Sequence, residues 1–258
     1  MKDLPNYGFP LFSIIKLMLL TFLMILLLLL LYFLDIPLLL MIFISFITLP
    51  INFFISLVYF KKCFNKKRQS ILNKIIQISN LRGNEIILDL GAGAGFLTIG
   101  FAKHLNNGKV YGIDRYTFNN NNMMTKIFDI IKINFFGNTL NNAKKNAKIE
   151  KVDYLCKFKI ADFTKPLNYP DNFFDIISSC QSLYCLPPQK RQSAFKEINR
   201  TLKKGGKIIF FEPKSLSLIN YRWDLNYVKE YFENISYNMQ ILQTPEFKKR
   251  YIFYGQKK

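Results

Sequence analysis

The residues whose types and spacing best suit ligand chemistry are an aspartate and three glycines close together in the chain. Asp89 is followed by Gly91, Gly93 and Gly95 at alternate positions. Glycine allows the backbone to turn sharply and lets a ligand approach closely. If a helix begins after the last glycine, its free N–H groups and its positive end face an anionic group. The pattern therefore predicts a ligand-binding turn.

The neighbouring residues predict the elements that hold this turn. Residues 86–90 form a short apolar stretch that indicates a strand, and residues 96–103 have helical apolar spacing. In the NAD-binding pattern the third glycine falls five residues after the first, but here that position is Phe96. A strand–turn–helix unit is therefore predicted, and NAD is disfavoured as its ligand.

A second aspartate follows the next predicted strand. Residues 109–113 read as a strand that ends at Asp114, about 20 residues beyond the glycines. A carboxylate at that point can accept hydrogen bonds from both hydroxyls of a ribose. An aspartate after a strand is also a common helix cap or turn residue, but its distance from Gly95 favours the ribose.

The rest of the chain alternates between strand and helix patterns. Further strands are predicted at residues 154–160, 173–179 and 205–211, helices at 71–78, 141–148 and 189–202, and a closing antiparallel hairpin at 238–243 and 251–256. This alternation predicts an α/β fold with a mostly parallel sheet, helices on both faces, and a ligand at the carboxyl ends of the strands. Residues 117–142 are interpreted as an insertion packed on the domain, with a lid or a segment lying on the membrane surface near the hairpin as alternatives.

The first 60 residues differ sharply from the remainder. Two almost wholly apolar runs, residues 11–34 and 36–60, are each long enough to cross a hydrocarbon core of roughly 30 Å as a helix. They predict a transmembrane helical hairpin over residues 1–60. A basic linker follows at residues 61–70, and the α/β domain is expected at residues 71–258.

Basic residues after the second run predict the orientation of the hairpin. Lysine and arginine are concentrated at residues 61–68. By the positive-inside rule this end faces the cytoplasm, so the sequence predicts an integral membrane protein with its α/β domain on that side. A re-entrant hairpin would give the same orientation of the domain, and the sequence leaves both arrangements open.

Charge and cysteine usage restrict the possible partners. The charges in residues 1–60 cancel, so the whole net charge of +19 belongs to residues 61–258. Such a domain suits anionic lipid or nucleic acid, but no aromatic and basic residues form a recognisable RNA-binding motif, so nucleic acid is disfavoured. The four cysteines have no C-x-x-C spacing and the single histidine is His104, so no metal site is predicted.

From about residue 71 onwards the order of motifs resembles the class I S-adenosylmethionine (AdoMet) methyltransferases. The motifs are LDLGAGAGF, YGID, IAD, FDIISSCQSLYCLP and EINRTLKKGGKIIFFEP. The chain is most similar to the broad ubiquinone/menaquinone C-methyltransferase-like type, and to its membrane-anchored members. The resemblance implies a Rossmann-like sheet, AdoMet as cofactor and methyl transfer as the activity.

The same resemblance implies which residues bind the cofactor. It assigns the methionine part of AdoMet to the glycine turn, the ribose to Asp114, the adenine amino group to Asp162, and the adenine ring to Phe163. The full cofactor-binding set that it implies is Asp89, Gly91, Ala92, Gly93, Gly95, Asp114, Arg115, Asp162, Phe163 and Ser179.

Candidates for catalysis follow the fourth and fifth predicted strands. Tyr184 stands where related sequences often carry histidine, which disfavours a histidine-based mechanism here. Tyr184 and Gln181 could orient a methyl acceptor, and Glu212 could accept a proton. An alternative of equal weight is that all three residues only line the pocket and take no part in catalysis.

Three functions are consistent with these features. The leading hypothesis is a membrane-anchored methyltransferase whose partners are the bilayer and a lipid or lipid-soluble acceptor, such as a headgroup amine or a quinone ring. The alternatives are methylation of a protein or a small cytosolic molecule, and a non-catalytic AdoMet-binding membrane protein.

Overall fold

The computed structural model describes residues 68–116, 137–213, 226–240 and 250–258, together with isolated positions before residue 68. The chain divides into two compact units, one of Phe9–Ser70 and one of Met1–Gly8 with Ile71–Lys258. The predicted spans at 11–34 and 36–60 lie almost entirely outside the described residues, as does most of the 117–142 segment.

The larger unit is built on one seven-stranded sheet. The strands are β1 (Ile86–Leu90), β2 (Lys109–Asp114), β3 (Cys156–Ile160), β4 (Phe174–Cys180), β5 (Leu202–Pro213), β6 (Phe232–Gln240) and β7 (Arg250–Lys257). Their spatial order is β3-β2-β1-β4-β5-β7-β6. The first five are parallel, and β7 runs antiparallel to both of its neighbours.

Helices precede or follow these strands. They are α1 (residues 68–79), α2 (Phe96–Ala102), α3 (Leu140–Ile149), α4 (Pro188–Thr201) and α5 (Asn226–Tyr231), with a short 3₁₀ turn at Leu183–Cys185. The predicted mostly parallel α/β fold is confirmed. The predicted helices and the first five predicted strands occur with bounds shifted by at most a few residues.

β1 lies inside the sheet, between β2 and β4, and both of its faces are covered. Ile87 belongs to one buried cluster, with α1, α2 and α3, whereas Leu88 and Leu90 belong to a second cluster, with α4. Successive strand residues point to opposite faces, so Asp89 shares the face of Ile87. A carboxylate in the middle of this sheet is therefore buried, with 1% of its surface exposed.

The predicted first strand of the closing hairpin, residues 238–243, was placed too late. β6 begins at Phe232, directly after α5, and pairs with β7 from Phe232 opposite Lys257. The pairing register shifts between Glu233 and Ser236, where Asn234 has a positive φ of 49°. This bulge interrupts the alternation of apolar and polar residues, which is why the pattern did not indicate a strand there.

Among the described residues, no helix is both long enough and apolar enough to cross a membrane. The described positions within the apolar runs include Leu19, Phe22, Leu23 and Leu26, which are helical and exposed.

Candidate functional site

The carboxyl ends of the parallel strands gather most of the predicted site residues at one edge of the sheet. β1 leads into the glycine turn, β2 ends at Asp114, and Asp162 follows β3 by two residues. Gly91 and Ala92 donate their N–H groups to Ile113 O at 2.8 and 3.0 Å, which ties the glycine turn to the end of β2.

The three glycines of the turn all adopt left-handed backbone conformations. The φ angles are 74° at Gly91, 51° at Gly93 and 85° at Gly95. A residue with a Cβ atom is strained in this region by roughly 1–2 kcal/mol. Gly95 is also the N-cap of α2, and no side chain caps that helix end. The amino end of α2 therefore presents backbone N–H groups, as the sequence pattern predicts.

Space around the turn gives a second reason for glycine. A Cβ atom at Gly91 would overlap Ser182 Oγ, and one at Gly95 would lie 2.9 Å from the Phe158 ring. At Gly93 the nearest atom would be Asn138 Oδ1 at 3.2 Å. The turn is thus enclosed by residues from the segment after β4, from β3 and from the segment before α3.

Asp89 lies beneath the glycine turn with only half of its carboxylate satisfied. Thr98 Oγ1 donates to Asp89 Oδ2 at 2.6 Å, whereas Oδ1 is buried and has no hydrogen-bond partner among the described residues. Burial raises the pKa of Asp89 to about 7, and the nearby charge of Asp114 acts in the same direction. The site therefore holds a buried acceptor suited to a cationic or hydrogen-bond-donating group.

Asp114, to which the resemblance assigns the ribose, accepts backbone hydrogen bonds from the glycine turn and from the segment after β2. Its Oδ2 accepts from Gly93 N at 2.9 Å, and its Oδ1 accepts from Tyr116 N at 2.9 Å. The Tyr116 hydroxyl is buried without a partner among the described residues. Burial raises the pKa of Tyr116, and the charges of Asp114 and Asp89 add to this effect.

Asp162 and Arg115 lie together at the ends of β3 and β2. Asp162 Oδ2 is 3.6 Å from Arg115 Nη1, and its Oδ1 accepts from Thr164 N and Thr164 Oγ1 at 3.0 and 2.7 Å. Burial acts to raise the pKa of Asp162, but the bonds from Thr164 and the charge of Arg115 hold it below its usual value. Phe163 is buried in the cluster that includes α4, so its contact with an adenine ring stays a prediction.

The segment after β4 is shaped around Glu212, near the end of β5. Glu212 is fully buried, and its carboxylate accepts four hydrogen bonds. The donors are Ser179 Oγ at 2.8 Å, Ser182 N at 3.0 Å, Leu183 N at 3.1 Å and Tyr184 N at 3.3 Å. Burial raises its pKa, while these donors act in the opposite direction. Both oxygens are occupied, which disfavours the predicted use of Glu212 as a base.

Gln181 and Tyr184 are the predicted acceptor-orienting residues, and both are half-buried beside this carboxylate. Gln181 has a positive φ of 60°, and its N–H donates to Phe211 O at 2.9 Å. Ser179, which the resemblance assigned to the cofactor, is fully buried and bonds Glu212. Its contact with a cofactor stays a prediction.

Three residues of the site were not identified from the sequence. Thr98 bonds Asp89, Ser182 occupies the space beside Gly91, and Asn146 Nδ2 donates to Ala94 O at 2.9 Å from a buried position in α3. Asn146 lies in a lysine-rich helix, so its burial was hidden by its exposed neighbours. The Thr98 position, one turn into α2 and facing β1, could have been inferred from helical spacing.

Two further observations concern His104 and residue types that bind metals. His104 follows α2, and its Nδ1 lies 2.9 Å from Gly100 O, so it is a local helix-end contact. In the part of the chain that the structure describes, no histidine, cysteine and carboxylate side chains group as metal ligands would.

Comparison with known proteins gives one family match and two curated relatives. Residues 117–210 match the family model described as "Methyltransferase domain". The chain is 29% identical over 146 residues to the probable methyltransferase ltbC of Aspergillus luteorubrus, covering 54% of this chain and 46% of that protein. It is 30% identical over 135 residues to an uncharacterized methyltransferase of Schizosaccharomyces pombe, covering 52% of this chain and 42% of the relative. The chain thus spans less than half the length of these relatives.

A solved structure extends the comparison to the fold. Magnesium protoporphyrin IX methyltransferase from Synechocystis, solved with bound SAH, superposes with a TM-score of 0.51 at 16% identity. The match covers 75% of this chain and 83% of that one. At this identity the likeness shows a shared fold.

Proposed function

We infer that the chain is an AdoMet-dependent methyltransferase, because residues 117–210 match a methyltransferase domain model and the fold is shared with a solved methyltransferase. The observation that carries this inference is the arrangement at the carboxyl ends of β1 and β2. There a left-handed glycine turn, Asp114 and the half-satisfied Asp89 lie together. These groups complement an amino acid joined to a nucleoside.

The residues present fit AdoMet. Gly91, Gly93 and Gly95 adopt left-handed conformations that a Cβ would strain, and a turn without side chains suits close approach of the methionine part. Asp114 would accept from the ribose hydroxyls, and Asp162 would accept from the adenine amino group. When bound, AdoMet supplies a methyl group that is electrophilic because it is attached to a sulfonium.

Asp89 Oδ1 and the Tyr116 hydroxyl strengthen this fit. Both atoms are buried without a partner among the described residues. A buried polar atom without a partner costs roughly 1–3 kcal/mol, so a ligand that satisfies it gains affinity. The carboxylate also favours a cationic ligand over a neutral one.

Methyl transfer from a sulfonium is an in-line displacement, so the chain has to align the acceptor and exclude water. Gln181 and Tyr184 are half-buried after β4, and they are our candidates for orienting an acceptor. Glu212 is already fully engaged, so an acceptor that must lose a proton would need another base.

For the acceptor, we propose a lipid or lipid-soluble molecule, with the protein attached to a membrane by residues 1–60 and the domain on the cytoplasmic side. Support comes from the two apolar runs and from the basic residues 61–68. Within the first run, Leu19, Phe22, Leu23 and Leu26 are helical and exposed. Attachment raises the effective concentration of an acceptor in the same bilayer. The ubiquinone/menaquinone-like subtype remains a prediction within this proposal.

The test uses the full chain reconstituted in vesicles of total membrane lipid, supplied with methyl-tritiated AdoMet. We expect label in the lipid extract, and we expect Asp114→Ala to lose it. Label found only in protein or in the aqueous phase contradicts a lipid acceptor and favours the alternative substrates. Saturable AdoMet binding without any transferred label favours the non-catalytic alternative.

A further inference from the structure

Glu212 is a buried carboxylate held by an unusual set of donors. Its surface is completely buried, yet in the described part of the chain no lysine or arginine forms an ion pair with it. One hydroxyl and three consecutive backbone N–H groups, those of residues 182–184, donate to it instead. A charge buried without a cation is costly unless such donors satisfy it.

The segment after β4 depends on this carboxylate for its shape. Gln181 is in a left-handed conformation, which is strained for a residue with a side chain. The next three N–H groups then converge on one acceptor, and without it they would be buried donors with no partner. Replacing the Glu212 carboxylate therefore perturbs the whole segment rather than a single bond.

Ser182 connects this segment to the glycine turn. Its N–H donates to Glu212 Oε1, and its Oγ lies 3.3 Å from Gly91 O and 3.4 Å from Cys180 O. The same Oγ occupies the space that a Cβ of Gly91 would need. Ser182 thus supports the first residue of the turn from one side.

We propose that Glu212 is a positioning residue that sets the affinity for AdoMet through Ser182 and Gly91, without contacting the cofactor. This inference rests on the proposed function, because it concerns the same glycine turn. Glu212 then acts by holding the segment after β4 in place rather than by accepting a proton. Ser182 links that segment to the glycine turn.

The test is a double-mutant cycle on AdoMet binding, measured by calorimetry with the full chain in neutral detergent. Glu212→Gln keeps the size of the side chain but replaces one acceptor oxygen with a donor. We expect it to weaken AdoMet binding about tenfold, and Ser182→Ala to weaken binding about fivefold. If Glu212 acts through Ser182, the double variant loses about tenfold rather than about fiftyfold.

Asp175→Asn is the matched control. Asp175 Oδ2 also joins two neighbouring strands, because it accepts from Ile86 N at 2.8 Å. It lies where β1 and β4 begin, at the end of the sheet opposite the site. We expect this variant to lower the melting temperature and to leave AdoMet affinity within about twofold of wild type. A loss of AdoMet affinity in Glu212→Gln but not in Asp175→Asn would then be specific to the glycine turn. A merely structural role for Glu212 predicts the same affinity change in both variants.

The outcomes distinguish the two proposals. Absence of AdoMet binding by folded wild-type protein defeats the proposed function itself. Wild-type binding with unchanged affinity in Glu212→Gln, or additive losses in the double variant, overturns the positioning role alone. Should Glu212→Gln fail to fold, Ser182→Ala alone decides, since it removes only a hydroxyl and wild-type affinity there contradicts the inference.

Discussion

Two fully buried carboxylates lie near the carboxyl end of the sheet, and their surroundings differ. Glu212, near the end of β5, accepts four hydrogen bonds. Asp89, near the end of β1, accepts one from Thr98 Oγ1, and its Oδ1 has no partner among the described residues. Burial raises the pKa of both. Glu212, whose donors are complete, suits a positioning role, and Asp89, with one oxygen unsatisfied, suits contact with a ligand.

The physical basis of this difference is the cost of burying charge. Hydrogen-bond donors offset that cost: the four donors around Glu212 act against the rise of its pKa, whereas Asp89 Oδ1 has no donor among the described residues. We therefore expect substitutions around Glu212 to weaken ligand binding indirectly, through the position of Ser182 and the glycine turn. Substitutions of the unsatisfied groups around Asp89 should affect mainly the ligand.

The largest effect is expected for Gly91→Ala, where the two regions meet. A side chain at residue 91 would be strained by its φ of 74° and would overlap Ser182 Oγ. We expect a loss of about 2–5 kcal/mol of stability from strain and overpacking together, and no measurable AdoMet binding. Chemical denaturation and calorimetry would measure these two quantities.

Adding Ser182→Gly to Gly91→Ala sharpens the same prediction. The second substitution removes the overlap but not the backbone strain, so about half of the lost stability should return. A Gly91→Ala protein as stable as wild type would contradict the described packing of the two segments.

The next prediction concerns the pH dependence of stability, and the variant Asp89→Asn isolates the contribution of Asp89 from that of Glu212. The pKa of Asp89 is 3.8 when exposed and about 7 when folded, so between these values the folded protein binds the extra proton. Stability should therefore fall as pH rises from about 4 to about 7, with a slope approaching about 1.4 kcal/mol per pH unit. Denaturation across this pH range should show a shallower slope for Asp89→Asn.

AdoMet affinity should change with pH in the opposite direction to stability, because of the same residue, Asp89. A cationic ligand favours ionised Asp89, so affinity should rise with pH more steeply in wild type than in Asp89→Asn. Comparing the two proteins cancels the titration of the ligand itself. Parallel pH profiles would mean that Asp89 does not face the cationic part of the ligand.

The smallest effect is expected for Tyr116→Phe, which removes the Tyr116 hydroxyl. Like Asp89 Oδ1, this atom is buried without a hydrogen-bond partner among the described residues. Loss of a buried hydroxyl without a partner should leave the unliganded protein as stable or slightly more stable. AdoMet affinity should fall a few-fold if the hydroxyl contacts the ligand, as thermal shift and calorimetry together would reveal.

Tyr169→Phe provides the matched control. The Tyr169 hydroxyl is also buried without a partner among the described residues, but its ring packs among Tyr111, Phe173 and Phe174. We expect a similar change in stability and no change in AdoMet affinity. Equal losses of affinity in both variants would contradict a specific contact at Tyr116.

Much of the fold was predictable because its strands and helices have strong local patterns. β1, the glycines and β2 were located from apolar stretches followed by Gly91 and Asp114. β6 was located less well because a bulge near Asn234 breaks its alternation. Local patterns therefore gave the order of elements more reliably than their bounds.

The site was predictable where the chain itself encodes the geometry, and less so where distant segments meet. The glycine turn follows from its own residues, but the contact of Ser182 with Gly91 joins positions 91 residues apart. Likewise, Glu212 was predicted as a possible base because its sequence position follows a strand. Only the tertiary structure shows that four donors already surround its carboxylate.

The central claim is that the glycine turn, Asp89 and Asp114 form an AdoMet site, and calorimetric titration of the full chain with AdoMet tests it most directly. We predict saturable binding, weakened by tenfold or more in Asp114→Ala, because the hydrogen bonds from Gly93 N and Tyr116 N and the proposed ribose contacts are lost together. Folded wild-type protein that does not bind AdoMet, or an Asp114→Ala variant that binds equally well, would contradict the account.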